Sequence, residues 1–181
     1  MRHSLGNKLL IMAAVVGLGV AGATTNPGPS ISDAEIARKL VHEIRMYPRY
    51  TIFDDIQVKV TNGKVDLLGA VSQPFKKDDM GRIAQRVEGV TGVSNELKVL
   101  PLSNFDNRLR LQVAQAIYRD PVLSRYGWGA LPSIHIIVDN GHVTLEGEVN
   151  SEMDRNLAAI RANAAGMSFG QVTNNLKISH S

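Results

Sequence analysis

The 181 residues contain no cysteine. That excludes disulfides, thiolate metal sites and cysteine nucleophiles. It also argues against an N-terminal lipid anchor of the bacterial lipoprotein kind, which needs a cysteine. Net charge is small: 20 Lys and Arg against 17 Asp and Glu leave +3 at neutral pH, and Arg2 and Lys8 fall in a segment expected to be removed. Bulk charge therefore offers nothing to hold nucleic acid. No apolar run reaches the roughly 18 residues that a membrane span requires. Ser-His-Asp and phosphate-loop patterns are missing, and there is a single tryptophan.

What is present begins with an export signal over residues 1–23. Arg2 and Lys8 form its charged start, Leu9 to Val20 its apolar run, and Ala21-Gly22-Ala23 its small-residue cleavage site. Cleavage after Ala23 is expected, in preference to an uncleaved anchor, because the run is too short to span. Residues 24–31, with Pro27, Gly28 and Pro29, read as a flexible lead-in.

The rest of the chain is written twice. Asn62-Gly63-Lys64-Val65-Asp66-Leu67-Leu68-Gly69-Ala70-Val71 returns as Asn140-Gly141-His142-Val143-Thr144-Leu145-Glu146-Gly147-Glu148-Val149. Asn-Gly between alternating apolar residues specifies a type I′ hairpin turn, which needs positive φ at both central positions. Counting outward pairs Val60 with Val65, Val58 with Leu67, Val138 with Val143 and Ile136 with Leu145 on one face. Lys59 with Asp66, and His135 with Glu146, pair on the other, which should be wetter. Gly69 and Gly147 fall on the apolar face, where the absence of a side chain lets another backbone come close.

Each hairpin is framed by helices. Ser32 and Glu35 form a capping box, followed by the stripe Ile36, Leu40 and Ile44. After Asp106, the counterpart of Asp33, the second copy has Leu109, Val113 and Ile117. Pro48 and Pro121 stop these helices. A second helix near Pro74 should bury Met80, Ile83, Ala84 and Val87; its counterpart should bury Leu157, Ile160 and Ala164. Gly89 and Gly166 end them. A closing strand alternates at Val93, Asn95, Leu97 and Val99, matched by Val172, Asn174, Leu176 and Ile178. The expected fold class is α+β: two tandem αββαβ domains, residues 32–100 and 105–179, joined by a short linker at 101–104. Each is a small three-stranded mixed sheet with two helices packed on one face.

These motifs resemble the BON domain, through the Asp-led helix, N-G-x-V-x-L-x-G-x-V and the closing Gly89-Val90-Thr91-Gly92-Val93-Ser94-Asn95-Glu96-Leu97. The second copy departs from the closing pattern between Gly166 and Leu176, with two extra residues in its loop. Two copies behind a signal resemble the osmotically induced periplasmic members of the family. The resemblance implies a non-enzymatic, exported, periplasmic protein that contacts phospholipid or other envelope components and supports stress tolerance. Some members act as holdase chaperones, and others accompany larger envelope complexes. It implies no cofactor, and a partner that is an anionic phospholipid surface or an envelope protein.

Few residues suggest chemistry. His135 beside Glu146 reads as a cross-strand polar pair on a solvated face, not as a base with its orienter. His135 and His142 read as lying on opposite sides of the sheet by parity, so no metal site is expected. Asp78-Asp79 reads as complementing a helix macrodipole at the helix start. No small-molecule substrate or catalytic set is evident. The stretch beyond the needs of the fold is Val122 to Pro132, which the first copy crosses with fewer residues. It holds Arg125, Tyr126 and Trp128 and no acid, and Tyr118 and Arg119 precede it. Aromatic residues among arginines suit an interface apolar at one level and anionic at the next. The alternative is that Trp128 folds back over the core or the domain junction.

Overall fold

A computed structural model describes residues 31–129, 131–166 and 168–179. The expected export signal and most of the expected lead-in lie outside the described residues. The first domain runs α1 (Asp33–Met46), β1 (Asp55–Thr61), β2 (Lys64–Val71), α2 (Pro74–Arg86), β3 (Gly92–Asn95) and β4 (Lys98–Val99). The second runs α3 (Asn104–Tyr118), a 3-10 turn (Leu123–Gly127), β5 (Ile134–Asp139), β6 (His142–Val149), α4 (Glu152–Ala164), β7 (Thr173–Asn174) and β8 (Lys177–Ile178).

The hairpins form in the register that the Asn-Gly turns dictate. Val58 pairs with Leu67 and Val60 with Val65; Ile136 pairs with Leu145 and Val138 with Val143. Asn62, Gly63, Asn140 and Gly141 all have positive φ. Each helical crossover returns the chain parallel to the second hairpin strand, so β2 and β6 are the central strands of mixed sheets. The expected single closing strand is split in two, because the central strand bends at a glycine. Gly69 and Gly147 have φ of +104° and +109°, and a Cβ there would overlap the carbonyl oxygens of Asp55 in β1 and of Ser133 just before β5. The closing strand breaks opposite that bend. At the break Asn95 donates from its amide to the Lys77 carbonyl (2.7 Å) and accepts from the Leu97 N–H (3.3 Å), and Asn174 does the same with Arg155 and Leu176 (2.8 and 3.3 Å).

Ser32 caps α1 by accepting the Glu35 N–H, and Ile36, Leu40 and Ile44 are buried. Leu109, Val113 and Ile117 are buried in α3. The first domain's core also takes Met80, Ala84 and Val87, with Ile83 only partly covered.

In α4 the structure departs from the expected stripe. Ser151 caps this helix and Asp154 turns inward, so the buried positions are Asp154, Ala158 and Ala162. Leu157 is only partly buried, while Ile160 and Ala164 face solvent. The closing loop also needs one extra residue, not two. Thr91 and Phe169 make the same backbone bond to Gly63 and Gly141 (2.8 Å each), and the copies fall out of step only between Phe169 and Val172. Asp78 and Asp79 lie beyond the first turn of α2, which has no acid. Asp79 instead receives the Tyr47 hydroxyl and pairs with Arg82. Finally, the register puts His135 and His142 on one face of their hairpin, at opposite ends, because each sits outside the Val138–Val143 and Ile136–Leu145 pairs.

The domains touch through the segment before β1. Ile52 and Phe53 pack on the second core, and the Ile52 carbonyl accepts the Ile136 N–H at 2.7 Å. This covers part of an edge strand that would otherwise present unpaired backbone. Lys98 pairs with Asp139 across the junction. Arg110, buried on α3, donates to the carbonyls of Val138 (2.8 Å) and of Pro101 in the linker (3.3 Å).

Candidate functional site

In the first domain, the start of the second helix is plugged by a buried acid. Asp54 accepts from the Ser72 N–H and hydroxyl at 2.7 and 2.8 Å, and from the Lys76 ammonium at 2.6 Å. The Thr51 N–H and hydroxyl complete its shell at 2.9 and 2.8 Å. A buried carboxylate is tolerable only with this degree of satisfaction.

The second domain fills the same place with the charges reversed. The helix now carries the acid, Asp154, where the first domain has Lys76. The loop supplies Tyr126, whose hydroxyl accepts the Asn150 N–H and donates to Asp154, both at 2.8 Å. Arg125 pairs with Asp154 at 2.5 Å, and Ser151 donates to it at 2.7 Å. Burial alone would raise the Asp154 carboxyl, but hydrogen bonds from Ser151, Tyr126 and Arg125 outweigh it and hold the group below the usual carboxylate range. The extra residues of the second copy therefore have a structural duty: Leu123 and Tyr126 enter the core. The absence of acids within the segment is offset from its flanks. Asp120 accepts the Val122 and Leu123 N–H groups and pairs with Arg161.

These contacts sort the five residues singled out in the sequence. Tyr118 is half-buried, donating to the Ile134 carbonyl, with its ring lying under Gly127. Tyr126 is buried, and Arg125 is committed to Asp154 while stacking over the Tyr126 ring. The structure therefore takes Tyr126 out of any contact surface, because its hydroxyl is needed to close the helix start. Arg119 is exposed beyond the end of α3. Trp128 is 78% exposed. Gly127 and Gly129 flank it, and Gly129 has φ +104° with open space beside it. The solvent side of α3 adds Arg108 and Leu111.

A second feature, not read from the sequence, lies at the domain junction. A cleft of about 490 Å³ is lined by Val41, Arg45, Tyr50, Asp55, Leu131 and Glu148, among others, with His135 in its wall. His135 is not on a solvated face: it is 8% exposed, because the first domain covers it. Its Nδ1 donates to the Asp54 carbonyl at 2.6 Å, and its ring lies 5.6 Å from that of Tyr50. Burial lowers its pKa. No period or motif within the second copy could have signalled this, since the cover comes from the other domain. Among the described residues no three His, Asp or Glu side chains converge as metal ligands, and no helix is long and apolar enough to cross a membrane.

Comparison with known proteins agrees with the repeat. The chain is 29% identical over 166 residues to the outer membrane lipoprotein DolP of Haemophilus influenzae, covering 86% of this chain and 83% of the relative. Two solved structures of CdsD, a structural protein of the type III secretion system of Chlamydia trachomatis, align at 15% identity and a TM-score of 0.31. They cover 77% of this chain and 64% and 60% of theirs, a likeness too low to bear on fold or function. The BON domain model matches twice, over residues 32–101 and 106–179. The chain belongs to the BON domain family.

Proposed function

We propose that this is a non-enzymatic, exported protein of the bacterial envelope that acts by surface contact, and that the surface it contacts is anionic phospholipid. The two BON domains and the kinship with an outer membrane lipoprotein support an envelope role. The single observation that carries the lipid reading is the exposure of Trp128. The protein has one indole, and it stands in solvent between two glycines while its neighbours Leu123 and Tyr126 are drawn into the core. An indole presented this way gains by entering the level between headgroups and acyl chains. Arg119 and Arg108 supply charge toward phosphate, each worth about 1 kcal/mol near an anionic surface. The proposed compartment is the periplasm, and the proposed role is support of envelope stress tolerance.

Binding of the protein to vesicles of phosphatidylglycerol and phosphatidylcholine, at low and high salt, tests this. Trp128→Ala should weaken binding with the melting temperature unchanged, and Arg119→Glu should weaken it more at low salt than at high. Emission from Trp128 should be red in the free protein and shift blue with vesicles. Binding that Trp128→Ala leaves intact would remove the proposal. Suppression of client aggregation without lipid would point to a holdase instead.

A further inference from the structure

The stripe that helical periodicity assigned to the second core points outward. On α4, Met153, Leu157, Ile160 and Ala164 recur at helical spacing along one narrow arc. Met153 is 77% and Ile160 61% exposed, Ala164 is exposed and Leu157 is partly covered. The first domain shows what this position needs for folding alone. With Met80 and Ala84 standing where α4 has Ala158 and Ala162, the matching residues of α2 are Phe75, Asp79, Arg82 and Arg86. Three of these four are charged. Asp79 and Arg82 form an ion pair, and Arg49 covers Phe75 at 5.1 Å. One fold thus makes this face mostly charged in one copy, with Phe75 still 41% exposed, and apolar along its whole length in the other.

We propose that α4 is a self-association surface, on which a second copy of this chain packs antiparallel across a two-fold axis. Three features favour this occupant. Under such an axis the stripe is complementary to itself: Met153 of one copy meets the small Ala164 of the other, and Leu157 meets Ile160. The surrounding charges are already paired within the chain, Arg155 with Glu152, Arg161 with Asp120 and Arg125 with Asp154. The patch therefore neither repels its own copy nor offers free charge to an anionic bilayer. Size also constrains the outcome. A helix of 13 residues, about 20 Å long, covers less than the roughly 600 Å² a side of a stable interface. The dimer is accordingly weak and concentration-dependent, suited to a protein gathered at high local density. This inference does not rest on the lipid reading.

The absence of cysteine permits a clean test on the exported form of the protein. Sedimentation equilibrium at rising concentration should show a reversible monomer–dimer equilibrium, weakened about tenfold or more by Ile160→Glu, which would desolvate two like charges at the axis. Ile160 is exposed, so the melting curve should not change. As a second measurement, a Met153→Cys protein mixed with an Ala164→Cys protein should form a disulfide-linked heterodimer under mild oxidation, faster than either variant alone. Within one chain these positions are about 16 Å apart along the helix and cannot bridge. A protein that stays monomeric at the highest concentration, or association indifferent to Ile160→Glu, or cross-linking no faster in the mixture, would overturn the proposal. Loss of vesicle binding in Ile160→Glu without loss of association would assign the stripe to the membrane and overturn it as well.

Discussion

Asp106 closes on Gly141: one carboxylate oxygen accepts the Gly141 N–H at 2.8 Å, and the other accepts the Asn140 N–H at 3.1 Å. Asp33 grips Asn62 and Gly63 in the same way, at 2.7 and 2.8 Å. A type I′ turn aims both central N–H groups away from its own strands, and the acid at the start of the preceding helix receives them. This explains why both copies place Asp there. The contact ties the first helix of each domain to the tip of its hairpin, across a long stretch of sequence.

Replacing either Asp by Ala should therefore destabilise its own domain. Charge-assisted hydrogen bonds contribute about 1.5–3 kcal/mol, and Asp106→Ala also strands the buried Gly141 N–H away from water. Asp106 is buried and Asp33 is half-exposed, so Asp106→Ala should cost more. Thermal melts of the two single variants, compared with wild type, check the ranking. Equal and negligible shifts would mean that the turns hold without the acid.

Gly147→Ala should be worse than a change at the turn tips. At the tips a side chain meets positive φ, a strain of about 1–3 kcal/mol. Gly141→Val would push chiefly on the Phe169 ring, which can move, while Gly63→Val meets the Gly89 carbonyl. At Gly147 the same backbone strain is joined by overlap with the Ser133 carbonyl, which is held by the Glu148 N–H at 3.1 Å. Loss of the folded second domain, read by near-ultraviolet circular dichroism at ambient temperature, is the expected result for Gly147→Ala. Gly69→Ala should do the same to the first domain, through the Asp55 carbonyl.

The parts legible in the sequence were those with a local period or a local turn. The hairpin register, both first helices and the crossover order rest on neighbours within a few residues, and they came out as read. The role of Asp33 was not legible, although its recurrence was. Its partners lie on the hairpin, and no periodicity connects an N-terminal acid to a distant turn. The α4 stripe misled for a different reason. Leu157, Ile160 and Ala164 satisfy helical spacing as well as Ala158 and Ala162 do, and larger side chains weigh more in such a count. The choice between the two arcs was made by Ser151 and Asp154, which fix the helix start and turn Asp154 toward Arg125 and Tyr126. Within the Val122 to Pro132 stretch, composition could not separate the residue that fills the core from the one that leaves it. Tyr126 is inside because Asn150 and Asp154 need its hydroxyl, and Trp128 has no such partner.

The reversed polar plugs should respond oppositely when a second partner is removed. Lys76→Met leaves Asp54 buried without its counter-ion, a loss of about 3–5 kcal/mol for breaking a buried pair from one side. Tyr126→Phe removes a neutral hydroxyl and leaves the Asn150 N–H unsatisfied, a milder cost of about 1–3 kcal/mol. The double variant Lys76→Met/Asp54→Leu should recover part of the first loss, whereas adding Arg125→Ala to Tyr126→Phe should deepen the second. Chemical denaturation of these four proteins, and of Asp54→Leu and Arg125→Ala alone, separates these outcomes. Additivity in both pairs would show that the plugs are not coupled networks.

Protonation of His135 should loosen the junction between the domains. The Asp54 carbonyl can only accept, so the His135 proton sits on Nδ1 and Nε2 is bare. Protonating Nε2 places a cation in a site closed by Tyr50 and the segment before β1. Burial lowers the pKa of His135, with Arg45 acting in the same sense, while the Asp54 carbonyl, Asp55 and Asp54 act against it. A folded pKa below the unfolded value of about 6.5 means that the unfolded chain binds the proton first. The stabilisation is therefore complete above about pH 6.5 and is lost as pH falls through the folded value. Glu146, which faces His135 across the hairpin, has its pKa raised by burial. It works in the opposite sense, with its contribution present at low pH and lost on raising pH. His135→Phe keeps a ring against Tyr50 and removes the titration. Melting temperatures measured at about pH 7.5 and about pH 5 should converge in this variant, relative to wild type. An unchanged pH dependence would show that His135 is not the group that couples protonation to the packing of the two domains.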